Sequence, residues 1–420
     1  MSTREWSRFG KNLAGGSGIA ELMRDLGEAM AGGGDVKMLG GGQPAHIAEM
    51  ERVWERRWKE LEANGELRQT LGNYGPPAGS PSFREAVASL LARELDWEIG
   101  PENVAVTSGG QTAFFFLFNA LAGRMADGSR KKILLPLVPE YIGYADQSVG
   151  DPIFETRRPL IEKTGPHEFK YGIDFDNLNV DDDIAAICVS RPTNPSGNVL
   201  RDDEVARLRA IAEEHHIPLI IDNAYGAPFP NIIFGEATPV WDENLIITLS
   251  LSKIGLPGTR TGIVIAAPEV VTAIAEMTGV VGLANGNIGQ AVMEPLIRSG
   301  EILKLSNEVV RPFYEEKSRL ALGWVHELFP DGINYHVHRS EGALFLWIWF
   351  EGLPITSREL YERCKARGVL IVPGEYFFIG DHGDWPHARE CLRVTFTMPG
   401  ETVREGLRVI AEEVTKAFQD

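Results

Sequence analysis

A lysine and an arginine seven residues apart, in Ser250-Leu-Ser-Lys253-Ile-Gly-Leu-Pro-Gly-Thr-Arg260-Thr-Gly262, are where covalent chemistry can be read in this sequence. The apolar, β-branched run Leu245 to Leu249 before them reads as a buried strand, so the lysine would emerge at a strand end on a glycine-punctuated turn. An amine there can form a Schiff base, provided that its free pKa of about 10.4 is lowered or its imine is made with an aldehyde cofactor. The arginine would suit a phosphate. The same stretch is also compatible with a surface loop carrying two solvated cations.

Four further segments place polar groups after apolar runs. Asp222-Asn-Ala-Tyr225 follows Ile217 to Ile221, bringing a carboxylate and a phenol to a strand end. A buried aspartate is an unfavourable ion unless it pairs with a cation, such as the protonated ring nitrogen that lets pyridoxal phosphate act as an electron sink. Asn194-Pro-Ser-Gly197-Asn198 supplies an amide for a ring oxygen, or is simply a β-turn. Thr107-Ser-Gly109-Gly110-Gln111 opens an apolar helix, where free backbone N–H groups and the helix dipole favour an anion. Tyr141, in Pro139-Glu-Tyr141, can stack on a flat ring, although it or Tyr144 can equally be a core residue. Arg393 is a charge inside the apolar run Cys391 to Phe396 and needs an anionic partner, for which a carboxylate bound through both guanidinium nitrogens is suitable.

The elements that must position these residues follow an α/β pattern. From about Val53 to Ile297, strand-length apolar runs alternate with amphipathic helices, the signature of a mainly parallel central sheet. The strands expected are Val104–Thr107, Lys132–Leu135, Ala185–Val189, Pro218–Ile221, Ile246–Leu249 and Gly262–Ala266. Beyond Ser306 a long helix through Trp324, the run Gly342 to Phe350, a helix from Ser357 and short strands at Val369–Val372 and Cys391–Phe396 read as a smaller α+β domain. The expected division is a large domain over 53–305 and a small domain, with an N-terminal arm, made of 1–52 and 306–420. Phe345, Trp347 and Trp349 alternate at strand period and read as sheet core. Tyr376-Phe-Phe378 can line a substrate pocket or pack a loop, and Gly32-Gly-Gly34 reads as a turn.

Composition narrows the partners. With 420 residues and a net charge of −18, the chain has room for a large and a small domain and is a poor candidate for nucleic acid or anionic membrane. Three dispersed cysteines, Cys188, Cys364 and Cys391, suggest neither a disulfide framework nor a zinc site, and no metal is expected. Without a secretory pattern or a long apolar run, a cytoplasmic protein is expected.

Taken in order, the anion cradle, aromatic residue, N-P-x-G, D-x-x-Y, S-x-S-K with its arginine, and C-terminal arginine resemble the class I/II pyridoxal-phosphate-dependent aminotransferases of fold type I. The resemblance implies Lys253 as the Schiff-base lysine, Asp222 on the pyridine nitrogen, Tyr225 and Asn194 on the ring oxygen and Tyr141 stacked on the ring. It implies Gly109, Gly110, Gln111, Ser250, Ser252 and Arg260 at the phosphate, and Arg393, Asn194 and the backbone near Gly42 as the carboxylate clamp. The segment Asn73-Tyr74-Gly-Pro-Pro-Ala-Gly79 resembles the one whose tyrosine reaches the neighbouring subunit's phosphate, which implies a homodimer with shared active sites. Two departures are Gly110, where many relatives carry a hydroxyl, and Gly282 to Asn287, where no partner-subunit hydroxyl aligns.

Within that family, Leu39-Gly-Gly-Gly-Gln-Pro-Ala45, Pro139 to Asp146, Val189 to Asn198, Ile221 to Pro230 and Leu249 to Gly258 resemble the valine–pyruvate branch. The implied activity is ping-pong exchange of an amino group between L-valine and pyruvate, with amino acids and 2-oxo acids as the small-molecule partners. Another aliphatic specificity, a C–S or β-lyase on the same cofactor, and a non-enzymatic regulator domain are the alternatives. The last would need a DNA-binding region for which the roughly 40 residues before Gly40 leave little room.

Overall fold

Each apolar run expected in the central sheet forms a strand, because its β-branched and aliphatic side chains are covered on both faces. The structure is a computed structural model that describes residues 5–14, 18, 20, 24, 27, 36–380 and 385–419; the Gly32-Gly-Gly34 turn lies outside the described residues. In chain order the strands are β1 (Lys37–Met38), β2 (Val104–Thr107), β3 (Gly123–Arg124), β4 (Arg130–Leu135), β5 (Phe154–Thr156), β6 (Leu160–Gly165), β7 (Glu168–Gly172) and β8 (Ile184–Ser190). They continue with β9 (Leu219–Asp222), β10 (Leu245–Ser250), β11 (Gly262–Ile265), β12 (Tyr335–His338), β13 (Phe345–Phe350), β14 (Val369–Leu370), β15 (Val372–Pro373) and β16 (Cys391–Thr395).

The central sheet runs β2-β11-β10-β9-β8-β4, with β3 and β5 both on β4. Pairing is parallel through β10, β9, β8, β4 and β5, whereas β11 is antiparallel to both β10 and β2. Two antiparallel steps restore direction, so β2 points the same way as β10. The carboxyl ends of β2, β4, β8, β9 and β10 therefore share one edge with the first residue of β11. That edge is where open α/β sheets bind ligands. Helices Pro81–Leu95, Gly110–Leu121, Asp202–Glu214 and Pro268–Gly282 pack on the sheet.

A second sheet has the order β15-β16-β13-β12-β7-β6. Its β12 pairs with β7 in parallel, Val337 opposite Glu168 and His338 opposite Phe169, so this sheet draws on chain from both sides of residue 305. β13 is buried along its whole length, with Trp347 opposite Arg393 of β16. The segment leading to Gly42 is tied to the same region, because β1 pairs with β14 and Thr395 N donates to Leu39 O at 2.8 Å. Among the described residues no helix is long and apolar enough to cross a membrane.

The two sheets meet where three backbones crowd together. Gly197, at φ +71°, is so close to Gly342 that a Cβ would lie 2.7 Å from its carbonyl oxygen, and a Cβ on Gly342 would lie 2.6 Å from Ile232 O. Backbone on backbone leaves nothing flexible to yield. Gly197→Ala is expected to cost about 1–3 kcal/mol through overpacking and positive-φ strain. A thermal midpoint equal to that of the parent would show that this contact is not rigid.

Candidate functional site

At the shared sheet edge, the residues singled out from the sequence come together in two layers. The first is an anion cradle. Helix Gly110–Leu121 begins at Gly109 with no side-chain cap, leaving its first N–H groups free at the positive end of the helix dipole. The Arg260 guanidinium lies directly under Gly109, in the space a Cβ would take. Gly262 allows β11 to start against this turn, since a Cβ there would be 2.7 Å from Gly109 C and 2.8 Å from Gly110 N. Gln111 donates through Nε2 to Gly143 O at 2.9 Å, tying the cradle to the turn that carries Tyr141 and Tyr144. Ser250 is buried, and its Oγ accepts from Ser252 N at 3.2 Å, which shapes the turn into Lys253.

The second layer holds the acid, the amine and the clamp. Asp222 Oδ2 accepts from Tyr144 Oη at 2.6 Å, and Oδ1 accepts from Ala224 N at 2.9 Å and Thr248 Oγ1 at 3.4 Å. Burial raises the Asp222 carboxyl above its ordinary range, and these donors together with the field of Lys253 oppose that rise. Tyr141 meets Tyr144 edge to face at 5.4 Å. Lys253 Nζ donates to Gly42 O at 2.8 Å and lies 5.2 Å from the Tyr225 ring centroid. Burial, reinforced by Arg393 and Arg260, brings the Lys253 ammonium down to about 8, with Asp222 acting the other way.

Arg393 is 2% exposed in mid-strand of β16, between the Phe345 and Phe377 rings at 4.1 and 4.9 Å. Its Nη1 donates to Asn194 Oδ1 and its Nη2 to Gly40 O, both at 2.6 Å, while Nε has no partner among the described residues. Burial pushes this guanidinium down to about 10. No carboxylate is among those contacts, so an anionic ligand would meet a desolvated cation with donor capacity to spare.

Tyr74 makes none of these contacts and is 85% exposed. Its loop is held by the segment 282–287: Asn287 Nδ2 donates to Asn73 O at 2.8 Å and Asn285 Nδ2 to Pro77 O at 3.0 Å. Val280, Val281, Leu283 and Leu71 are exposed in the same region.

Sequence reasoning did not single out Glu140, Thr248, Gly262, Phe345 as a guanidinium shelf, or Tyr144 as the donor to Asp222. The signal for Tyr144 was its place three residues after Tyr141. Of Tyr376-Phe-Phe378, Phe377 faces Arg393, whereas Phe378 packs into the small sheet against Trp347 and Trp385.

The donor set fits a flat cofactor with a phosphate and a cationic ring nitrogen. The Arg260 guanidinium fills the space beside Gly109 while nothing lies within 4 Å of where a Gly110 Cβ would be, which leaves room for an anion; Asp222 is a half-buried carboxylate with no cation bonded to it among the described residues, and the Lys253 amine lies on the same edge.

Comparison with known proteins agrees. The family model Aminotransferase class I and II matches residues 39–138 and 159–410. The chain is 45% identical over 415 residues to the valine–pyruvate aminotransferase of Escherichia coli K12, covering 99% of each. It superposes on the crystal structure of an amino-acid aminotransferase from Psychrobacter arcticum 273-4 with a TM-score of 0.96, 43% identity and 100% of both chains covered. For the valine–pyruvate aminotransferase of Salmonella typhimurium LT2 the TM-score is 0.88 and the identity 44%, covering 96% of this chain and 100% of that one. With this sheet edge, this donor set and a match over nearly the whole sequence, the chain belongs to the class I and II aminotransferases, a pyridoxal-phosphate-dependent family of fold type I.

Proposed function

We propose that this chain exchanges an amino group between L-valine and pyruvate, forming 3-methyl-2-oxobutanoate and L-alanine in two half-reactions. The full-length similarity to the Escherichia coli enzyme carries the choice of substrates, and the geometry around Lys253 supports the chemistry. Pyridoxal phosphate, when bound, supplies an aldehyde carbon and a cationic ring that withdraws electrons. Lys253 would hold the cofactor through its amine and would serve as the base, since an amine brought down to about 8 can take a proton from the substrate Cα near neutral pH.

Asp222 keeps the ring nitrogen protonated. Asn194 and Tyr225 hold the ring oxygen, and Tyr141 stacks on the ring. Gly109, Gly110, Gln111, Ser250, Ser252 and Arg260 would hold the phosphate, with backbone N–H groups compensating for the hydroxyl that Gly110 lacks. Arg393 receives the substrate carboxylate through two of its guanidinium nitrogens, with Asn194 and the Gly42 backbone completing the clamp. The two Phe rings beside Arg393 exclude water from that ion pair, which strengthens it.

The working unit in this reading is a cytoplasmic homodimer. The exposed apolar residues Leu71, Val280, Val281 and Leu283 beside Tyr74 form the kind of patch that a second copy covers, which would carry Tyr74 to the neighbouring subunit's phosphate.

Alanine formed from pyruvate with a panel of amino acids is the direct test. Valine is expected to lead, with neighbouring aliphatic amino acids weaker but real, since one methyl group discriminates by about 1–3 kcal/mol. Aspartate or aromatic donors equal to valine would remove the valine assignment, and pyruvate released from a cysteine-type substrate without an acceptor would point to a lyase. Lys253→Ala should lose about 10⁴-fold in turnover, and retained transamination would overturn its assignment. In Tyr144→Phe, loss of the donor to Asp222 should raise that carboxyl further. The acidic limb of the kcat/KM profile should then move up by about one pH unit; an unmoved limb would separate Tyr144 from the Asp222 charge.

A further inference from the structure

A second carboxyl stands at this edge beside Asp222. Glu140 directly precedes Tyr141, is 1% exposed and reaches the end of β8. Its Oε1 accepts from Ser190 N at 2.9 Å, and its Oε2 accepts from Ser190 Oγ at 2.7 Å and Tyr141 N at 3.1 Å. Its own N–H donates to Phe377 O at 2.9 Å, in the turn that supports Arg393. Ser190 stands opposite Asp222 in the β8–β9 pairing, so the two carboxyls belong to adjacent strand ends and feel each other's charge.

We propose that Glu140 is a positioning residue for this site, a second buried carboxyl that clamps the Tyr141 loop to the end of β8 and holds the proton that would otherwise fall on Asp222. The proposal rests on the reading of Asp222 as the ring-nitrogen partner. Among the described residues, the titratable groups facing Glu140 are Tyr141 and Tyr144 on its own loop, Cys188 on β8 and Asp222 on β9, and the Gly374–Phe377 turn meets it through a backbone carbonyl. None of them is a cation. Asp222, by contrast, has the Tyr144 phenol, the Ala224 N–H, the Thr248 hydroxyl and the field of Lys253 to hold it ionised. Two neighbouring buried carboxyls cannot both ionise cheaply, so the proton stays on the one without positive charge nearby.

The hydrogen bonds leave one place for that proton. Two of the three groups on the Glu140 carboxyl are N–H donors, and only Ser190 Oγ can also accept. The neutral form is therefore Glu140 O–H donating to Ser190 Oγ, and release of the proton leaves a carboxylate that accepts from all three. Burial pushes Glu140 up to about 8, which brings this exchange into the working range of an enzyme. A folded-state value above the ordinary carboxylate range means stability that is full below that range and lost as pH rises through about 8.

Glu140→Gln, compared with the parent holoenzyme from about pH 5 to about pH 9, tests the proposal. The parent's infrared spectrum should contain a protonated-carboxyl band that disappears across this range and is missing from the variant. The thermal midpoint of the variant should gain on the parent as pH rises, because the amide has no proton to lose. The absorbance of the bound cofactor should titrate lower in the variant, by about half a pH unit or more, since the variant never develops the negative charge. A parent without that infrared band overturns the proposal even if the variant fails to fold. A variant whose cofactor titrates like the parent's also overturns it, because a merely structural clamp would leave the titration unmoved. Absence of any bound-cofactor absorbance in the parent would instead overturn the reading of Asp222, and this proposal with it.

Discussion

Two cations at one sheet edge, one buried and one half-buried, with no carboxylate bonded to either among the described residues, are the constraint around which this protein is arranged. Arg393 disfavours the charge on Lys253, and apart from the field of Asp222 what offsets the two cations is oxygen without formal charge: the carbonyls of Gly40 and Gly42 and the amide of Asn194. Those carbonyls can reach the cations only if the backbone arrives edge-on. Gly40 passes so close to Ile371 that a Cβ would lie 3.0 Å from its carbonyl oxygen. The β1–β14 pairing, the bond from Thr395 to Leu39 and the bond from Ala45 N to Tyr314 Oη all hold that one segment. A short strand pair, one residue of β16 and a helix tyrosine thus serve to present two carbonyl oxygens, and the site is left short of negative charge that a phosphate and an amino acid carboxylate can supply.

The acids belong to a different part of the frame. Asp222 and Glu140 arise from β9 and the loop after β4, within the central sheet, whereas Arg393 comes from the second sheet and Lys253 from the turn after β10. A parallel sheet suits this separation because consecutive strands end at the same edge, so groups far apart in sequence become neighbours without any loop having to reach far. Gly262 shows how tight the arrangement is. The single antiparallel strand of the sheet's interior must begin against the anion cradle, and a methyl group would push the two apart.

Much of this was legible in the sequence for a physical reason. Strands buried on both faces are unbroken apolar runs, so Val104–Thr107, Ile184–Ser190 and Leu245–Ser250 announce themselves, and polar residues just beyond them are the candidates for chemistry. The hairpin β6–β7 was not legible. Leu160-Ile-Glu-Lys-Thr-Gly165 is charged and largely open to solvent, and the hairpin joins the sheet only through β7, whose partner β12 comes more than 160 residues later. Glu140 was hidden for the opposite reason: nothing in a local sequence says that a carboxylate will be enclosed by amide and hydroxyl donors. Tyr144 lay between these cases, with its aromatic burial readable and its bond to Asp222 not. Arg393 was found because a charge in an apolar strand is conspicuous, but the two rings that flank it come from elsewhere in the chain.

The parallel pairing of β12 with β7 has a consequence for any attempt to take the protein apart. A fragment beginning near residue 306 would keep β12, β13, β15 and β16 but would bare the edge of β12, where Val337 N donates to His167 O and Arg339 N to Phe169 O. Such an edge is a template for adventitious strand pairing, and the isolated fragment would self-associate. The natural complement is the hairpin itself, so the two halves of a chain cut there should reassemble by strand addition, with β6–β7 acting as the splice between them.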